Sequence, residues 1–496
     1  MGGAPRGVAV SQIDPLRAPP SAPRGRPVVP PRPLPPGLPP VLLLIGYVTI
    51  GSLPLLVAEE NAGGFWERLS NGLAMVCFAL LSVQFVLSGR LQAVTGRIGI
   101  DVVMHFHQRV AKFITVALLL HPFLYVVPTL LEDPLAASAR LVELFSSTAM
   151  ASGVLAWAIL IGLTASAMLR HWLPVPYEAW RLIHGLGALA LAVAGLHHAV
   201  NIGSHSDEVT LAQLWIVLVA LAFGIVGYLY VIKPWQIAQR PYYVSHVHRL
   251  GEGLWGITLW PAKLQPIGVF ARGMKPKITA AMPFEAGQFA WITIGASPYA
   301  FTDHPLSVAS APADSPRFRF IVKEVGDFSK TVGRIAVGTR AYMDGPYGTF
   351  TLSAAQAALA KDAPVKGLAF IAGGVGVAPI LSLLRARKAA GETRPMRLLY
   401  GNRSAGQIVF REELAVLEDE ADFRVRHVLQ EPPYDWPGGR GMIDAGALDQ
   451  WIDWPDAADW LYFTCGPTAM VTIVERHLIA RGVPAARIVG ERFRFD

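Results

Sequence analysis

Cysteine is almost missing from this chain. Cys77 and Cys465 are the only two in 496 residues. Two thiols cannot build a disulfide framework, nor supply the four thiolates of an iron–sulfur cluster. No C-x-x-C-H motif occurs, which argues against covalently attached haem. Any electron carrier must then be organic or non-covalent haem. Charge is scarce as well: charged residues make up 16% of the chain against 52% hydrophobic. No calcium-binding loop is present, so intrinsic calcium control is not indicated. No apolar segment is rich in acidic residues, which disfavours a channel or transporter. The net charge of +7 does not point to nucleic acid, because the excess sits in the N-terminal tail and beside the apolar segments.

Residues 1–38 are rich in proline and carry Arg6, Arg17, Arg24, Arg26 and Arg32. Such a composition cannot form a core and reads as a disordered tail, too long and proline-rich for a signal peptide. Six apolar stretches follow, at 40–58, 71–89, 106–131, 149–169, 179–200 and 211–232. Each approaches or exceeds the ~20 residues that span a bilayer. They predict a six-helix transmembrane domain over 39–234. Arg90, Arg97, Arg170, Arg181, Lys233 and Arg240 mark alternate loops, and Glu59, Glu60, Glu132, Asp133, Asp207 and Glu208 mark the others. The positive-inside rule places the tail and the C-terminal half in the cytoplasm.

Histidines stand inside this apolar region, where ionisable residues are costly and hence functional candidates. His107 and His121 are 14 positions apart on the third stretch. That spacing gives about 21 Å of helical rise and nearly one face. His184 and His198 share the same spacing on the fifth, and His197 stands beside His198. Imidazole is a haem-iron ligand. Two such helices could therefore hold two haems, near opposite faces of the bilayer. Helical geometry favours His198 over His197 as the outer ligand. Arg90, Arg97, Arg109 and Arg181 could meet inner haem propionates or serve as membrane-edge anchors.

Beyond residue 238 the sequence is that of a soluble protein. Short strand-like runs with Gly and Pro punctuation predict an antiparallel β-barrel over 239–354. From 364 to 496 apolar runs alternate with helical ones, which predicts an α/β domain with a parallel sheet. I-A-G-G-V-G-V-A-P (371–379) ends a strand and opens a helix, as a phosphate cradle requires. Y-G-N-R-S (400–404) and C-G-P-T-A-M (465–470) end later strands. Arg403 and Ser404 could meet an adenosine phosphate or ribose. The barrel section carries H-P-L-S-V-A-S (304–310), V-G-D-F-S-K (325–330) and D-G-P-Y-G-T-F (344–350).

Taken together and in this order, these motifs resemble the ferredoxin–NADP reductase superfamily, and within it the membrane branch of NADPH oxidases and ferric reductases. The resemblance covers about residues 70–496. It implies that His304, Pro305, Leu306 and Ser307 line FAD, and that Lys323, Gly326 and Ser329 lie near its pyrophosphate. Gly373, Gly374, Gly376 and Pro379 would approach the nicotinamide nucleotide. Cys465, Gly466 and Pro467 would neighbour the nicotinamide, and Phe493 would cover the flavin until the nicotinamide displaces it. Leu306 stands where the family often has an aromatic, and three residues follow Phe493. On the fifth span the resemblance favours His197, so the haem ligands it implies are His107, His121, His184 and His197.

The function this implies is electron transfer from cytoplasmic NAD(P)H through FAD and two b-type haems to an extracytoplasmic acceptor, either oxygen, giving superoxide, or chelated ferric iron. Arg403 favours NADPH over NADH. A membrane-anchored flavin reductase without haem, or a non-catalytic redox sensor, are the alternatives. No protein partner is identifiable.

Overall fold

The computed structural model describes residues 38–59, 63–262, 282–300, 302–360 and 363–493. The expected disordered tail lies outside these residues, except for Leu38. Among the described residues nine α-helices come first: α1 (Leu38–Val57), α2 (Phe65–Val83), α3 (Gln92–Ile98), α4 (Ile100–Glu132), α5 (Pro134–Ser146), α6 (Ala151–Met168), α7 (Tyr177–Asn201), α8 (Val209–Gly227) and α9 (Lys233–Ala238). A π-helical turn joins the last two. Four segments are long and apolar enough to cross a membrane: 102–132, 148–168, 177–201 and 209–238. The first two expected spans are helices as well, α1 and α2, but they do not meet the same measure among the described residues. Large apolar side chains such as Phe113, Ile183, Leu186 and Leu221 stand exposed on the helices. Exposed apolar surface of this extent needs a cover, and lipid supplies one.

The bundle is arranged around a gap. Helices α2 and α6 each pack against both α4 and α7. The two histidine-bearing helices thus face each other across the bundle core. Small residues permit close approach at the flanks. A Cβ on Gly187 would stand 2.7 Å from Leu163, and one on Gly195 would stand 2.7 Å from Phe78.

The soluble part has two sheets. The first comprises β1 (Tyr242–Gly251), β2 (Leu254–Pro261), β3 (Phe289–Ile294), β4 (His304–Ser307), β5 (Phe318–Lys323) and β6 (Arg340–Tyr347). Their order is β4-β3-β6-β1-β2-β5, with every pairing antiparallel. The sheet curls into a half-barrel, and a single bridge between Val308 and Phe320 links its two edges. Alternating residues such as Val244, Ile257, Leu259, Ile292 and Phe320 fill its interior. The short helices α10 (Asp327–Thr331) and α11 (Leu352–Ala357) flank it.

The second sheet is formed by β7 (Leu368–Gly373), β8 (Met396–Asn402), β9 (Phe423–Leu429), β10 (Gly439–Arg440), β11 (Leu461–Pro467) and β12 (Ile488–Phe493), in the order β10-β9-β8-β7-β11-β12. All its pairs are parallel. Helices α12 (Val377–Ala389), α13 (Arg411–Glu420), α14 (Ala445–Trp451) and α15 (Thr468–Ala480) provide the crossovers. Strands β7, β8 and β11 are almost wholly buried, as strands covered on both faces must be. Their near-continuous apolar runs follow from that burial.

Candidate functional site

In the parallel sheet, two glycine motifs meet at the carboxyl edge. Strands β7 and β11 are neighbours, so the turns that follow them touch. A Cβ on Gly376 would lie 2.2 Å from the Cys465 carbonyl oxygen. One on Gly373 would lie 2.9 Å from Pro467, and one on Gly466 3.1 Å from the Gly373 backbone. Only glycine allows this approach. Gly374 takes φ +54° and faces open space, leaving a backbone-lined cradle in front of α12. Such a cradle at a helix start suits a phosphate. Pro379 is buried in the first turn of α12, where proline's fixed φ suits a helix start.

Cys465 is fully buried, and its Sγ donates to Glu491 on β12 at 3.9 Å. Burial and then the Glu491 carboxylate push the thiol well above its ordinary range, so it stays protonated. Glu491 stands two residues before Phe493 and carries no signal of its own in the sequence. Only the parallel register of β11 with β12 brings it opposite Cys465. Phe493 pairs through its backbone with Pro467; its side chain lies outside the described residues.

Arg403 and Ser404 follow β8 at the same edge. Arg403 is exposed and its Nε donates to Glu431 at 2.9 Å. An acidic residue distant in sequence thus stands beside the cation that favoured NADPH. Ser404 Oγ donates to Glu252 in the β1–β2 turn at 2.7 Å, which ties the two soluble domains together. Further ties run from α12: Ser382 Oγ donates to the Ser310 carbonyl and Arg385 to the Ala309 carbonyl. These carbonyls lie two and three residues beyond the H-P-L-S stretch.

That stretch is β4, at the edge of the half-barrel. His304 stacks on Phe328 with ring centroids 3.9 Å apart, so the H-P-L-S and G-D-F-S motifs are adjacent in space. Burial holds His304 below the usual imidazole range, against the pull of the Asp303 and Glu178 carboxylates. Pro305 is exposed, Leu306 packs partly against the barrel core, and Ser307 is buried. Lys323 ends β5. The Ser329 hydroxyl accepts from the Val325 and Gly326 amides at 2.8 and 2.9 Å. It therefore shapes the turn from within.

Between membrane and soluble domains lies a cluster of charges. Asp303, directly before His304, is paired with Arg90 and, at 3.0 Å, with Arg181. Asp344 is paired with Lys233 at 2.8 Å. Arg90 also lies over the Trp291 ring at 4.0 Å. Burial alone would raise Asp303, but Arg90 and then Arg181 hold it below the usual carboxylate range. Two arginines considered for haem propionates are thus committed to the half-barrel. The Arg97 side chain lies outside the described residues.

In the bundle, the imidazoles of His107 and His184 lie within electrostatic reach of each other, at the end facing the half-barrel. His121 and His198 form a second such pair toward the other end. They line one cavity with Phe78, Leu118, Trp157 and Trp215. His121 is locked by Ser70: Nδ1 lies 3.1 Å from the Ser70 carbonyl, and Ser70 Oγ donates to the His121 carbonyl at 2.9 Å. An Nδ1–H so engaged leaves Nε2 free as a ligand. His184 stacks on Trp180, and among the described residues Nδ1 of His107, His184 and His198 is buried without a hydrogen-bond partner.

This geometry places His198, rather than the expected His197, beside His121 in the cavity. His197 is exposed and outside the cavity. Fourteen residues return a helix to nearly the same face, whereas thirteen leave it about 140° away. Helix α7 runs without interruption from Tyr177 to Asn201, so nothing offsets that rotation. Among the described residues no three His, Cys, Asp or Glu side chains gather as a bare-metal site. Two imidazoles across an apolar gap would suit haem iron, which takes imidazole ligands.

Comparison with known proteins accounts for both halves. Residues 73–195 match the family described as ferric reductase like transmembrane component, and residues 370–476 match the oxidoreductase NAD-binding domain. The chain is 31% identical over 226 residues to the reductase component of propane 2-monooxygenase from Mycolicibacterium goodii. That match covers 44% of this chain and 62% of the relative. It is 32% identical over 223 residues to ferredoxin–NADP reductase B from Sorangium cellulosum, covering 43% of this chain and 86% of that protein. Among solved structures, a ferredoxin NADP+ reductase from Neisseria gonorrhoeae with bound FAD and NADP aligns at a TM-score of 0.41. It is 18% identical, with 51% of this chain and 97% of that one covered.

Proposed function

The chain belongs to the ferredoxin–NADP reductase family, joined to a ferric-reductase-like transmembrane component in the manner of a ferric reductase or NADPH oxidase type flavocytochrome, and from that premise we propose that it moves electrons from cytoplasmic NAD(P)H across the membrane, through FAD and two b-type haems, to oxygen or a ferric chelate outside. As an NAD(P)H-dependent oxidoreductase it binds nicotinamide nucleotide and flavin in its soluble half. Bound FAD supplies the step from two-electron hydride chemistry to single electrons, and haem iron carries single electrons onward.

This chain's residues provide the frame. The Gly373–Gly376 cradle receives the nucleotide phosphates, while Gly466 and Pro467 bound the nicotinamide position. Cys465, held as a thiol, and Glu491 flank that position and can fix the nicotinamide without forming a covalent bond. His304, Pro305, Leu306 and Ser307 line the flavin, and Lys323 and Gly326 stand at its phosphate end. Ser329 shapes that end by capping the turn. His107 and His184 would hold the inner haem and His121 and His198 the outer one. Arg403 and Ser404 bound the adenosine end. The six apolar helices cross the bilayer with both soluble domains in the cytoplasm.

The observation that carries the reading is the two histidine pairs on α4 and α7, the outer pair lining an apolar cavity and the inner pair at the end toward the half-barrel. A tethered flavin reductase would have no use for them. The test is anaerobic absorbance spectroscopy of the purified, FAD-supplied protein on adding NADPH. A reduced b-type spectrum is expected. Flavin bleaching with no haem band in a folded preparation would leave only the tethered reductase.

A further inference from the structure

The charge cluster between the domains has a consistent polarity. Every cation in it, Arg90, Arg181 and Lys233, comes from the membrane domain, and both carboxylates, Asp303 and Asp344, come from the half-barrel. Asp303 stands at its centre. It is joined by one peptide bond to His304 of the flavin strand. Arg181, which pairs with it at 3.0 Å, lies one helical turn before His184 on α7. The same carboxylate also takes Arg90, whose guanidinium lies over Trp291. Trp291 is opposite Pro305 in the β3–β4 register. Both neighbours of Asp303 in the cluster therefore bear on the flavin strand or on the inner histidine helix.

We propose that Asp303 is a positioning residue that holds the flavin strand at a set distance from the inner histidine pair, and so controls the rate of electron passage from flavin to membrane. The proposal rests on the reading of His107 and His184 as an inner haem site. Electron tunnelling falls steeply with separation, so a small displacement of β4 would act on this transfer far more than on hydride transfer from the nucleotide. The cluster suits the task. Its members are partly or largely shielded, with the Asp303 side chain 13% exposed. Asp303 is shared by the Arg90 and Arg181 guanidiniums, so removing its charge weakens the hold on both and draws them toward water. Asp344 and Lys233 form a second tether, which keeps the domains docked while Asp303 sets the local fit.

The test is Asp303→Asn in the full-length, haem- and FAD-loaded protein, with Asp303→Glu as a conservative restoring variant. Three readouts are taken. NAD(P)H-driven ferricyanide reduction reports flavin reduction alone. Anaerobic stopped-flow absorbance reports haem reduction. Hydrogen exchange over residues 302–310 reports the flavin strand directly. For Asp303→Asn, ferricyanide reduction is expected within about twofold of the parent and haem reduction slowed at least about tenfold. Faster exchange should appear in the 302–310 segment, and Asp303→Glu should restore most of the haem rate. Unchanged haem reduction and unchanged exchange would overturn the proposal. So would a parallel fall in both rates with loss of FAD, since that is a folding defect. If the parent protein shows no haem at all, the inner-haem reading fails by itself. The exchange difference would then still report whether Asp303 docks the strand.

Discussion

The imidazole of His198 on α7 packs against Gly153 on α6, with Nδ1 only 2.6 Å from the point a Cβ at that glycine would occupy. The neighbouring helix is hollowed at one residue so that the ring can turn toward His121. A methyl group there has no room, because close-packed interiors transmit such overlaps instead of absorbing them. Gly153→Ala should displace the ring and lower outer-haem occupancy, leaving the inner site intact. The haem-to-FAD ratio of the purified protein measures this. An unchanged ratio would mean that His198 is not the ligand.

The adjacent histidines separate cleanly. His198→Ala should remove about half the haem and His197→Ala almost none, because His197 is exposed and outside the cavity while a ligand is not replaceable by packing. Haem quantitation by pyridine haemochrome on both variants decides between them. The reverse pattern would restore the pairing of His121 with His197.

At the nucleotide site, Gly376→Ala is expected to damage both stability and turnover. Its methyl would lie 2.2 Å from the Cys465 carbonyl oxygen, and backbone cannot swing aside as a flexible side chain can. Overpacking of this kind costs about 1–3 kcal/mol. NAD(P)H-driven ferricyanide reduction should fall with a raised KM for the nucleotide, and the variant's melting temperature should drop. Normal values for both would place the nucleotide elsewhere.

Coenzyme choice should respond to Glu431. An arginine at this end of a nucleotide-binding sheet receives a 2′-phosphate, and an acid receives a ribose hydroxyl. Here the two are paired at 2.9 Å with both side chains exposed. Glu431→Gln frees Arg403 and removes the repulsion. The ratio of kcat/KM for NADPH to that for NADH should rise, by roughly a few-fold given how weak exposed pairs are. A ratio that stays put would show that neither residue meets the adenosine ribose.

The nucleotide domain should lose stability in mild acid through His427. This residue sits on β9 beside Tyr400 and Trp436. Burial and then nearby Arg411 lower its pKa to about 4. An unfolded chain would protonate it near pH ~6.5. Between these values the unfolded state binds more protons, so stability rises with pH there. The contribution is complete above about 6.5 and is lost progressively as pH falls toward 4. His427→Asn should flatten that part of the profile, as followed by denaturant unfolding of the full-length protein. An identical slope in parent and variant would assign it to another group.

Much of this molecule was legible from one dimension. The strands of the parallel sheet announce themselves as short apolar runs, because strands covered on both faces carry few polar residues. The glycine turns after β7 and β11 are legible for a related reason. Only glycine lets two strand ends approach at backbone distance, so the requirement is written at each position separately. Histidines within apolar stretches stand out because burial of an ionisable group needs a return.

Other features depend on where distant residues fall. Glu491 has no signal of its own and matters through its register with Cys465. Glu431 is 28 residues from Arg403, and only the order of β8 and β9 makes them neighbours. His197 and His198 differ by one position, and the 100° step of an unbroken α7 puts only the second beside His121 in the cavity. Arg90 and Arg181 read as membrane-edge cations, yet their partner Asp303 is 213 and 122 residues away. Composition and local pattern determined the layers, the motifs and the class of chemistry, since each reflects the solvent or ligand that a residue meets by itself. Pairing across the chain was decided by packing, because a contact between distant residues exists only once helix rotation, strand order and domain docking are all in place.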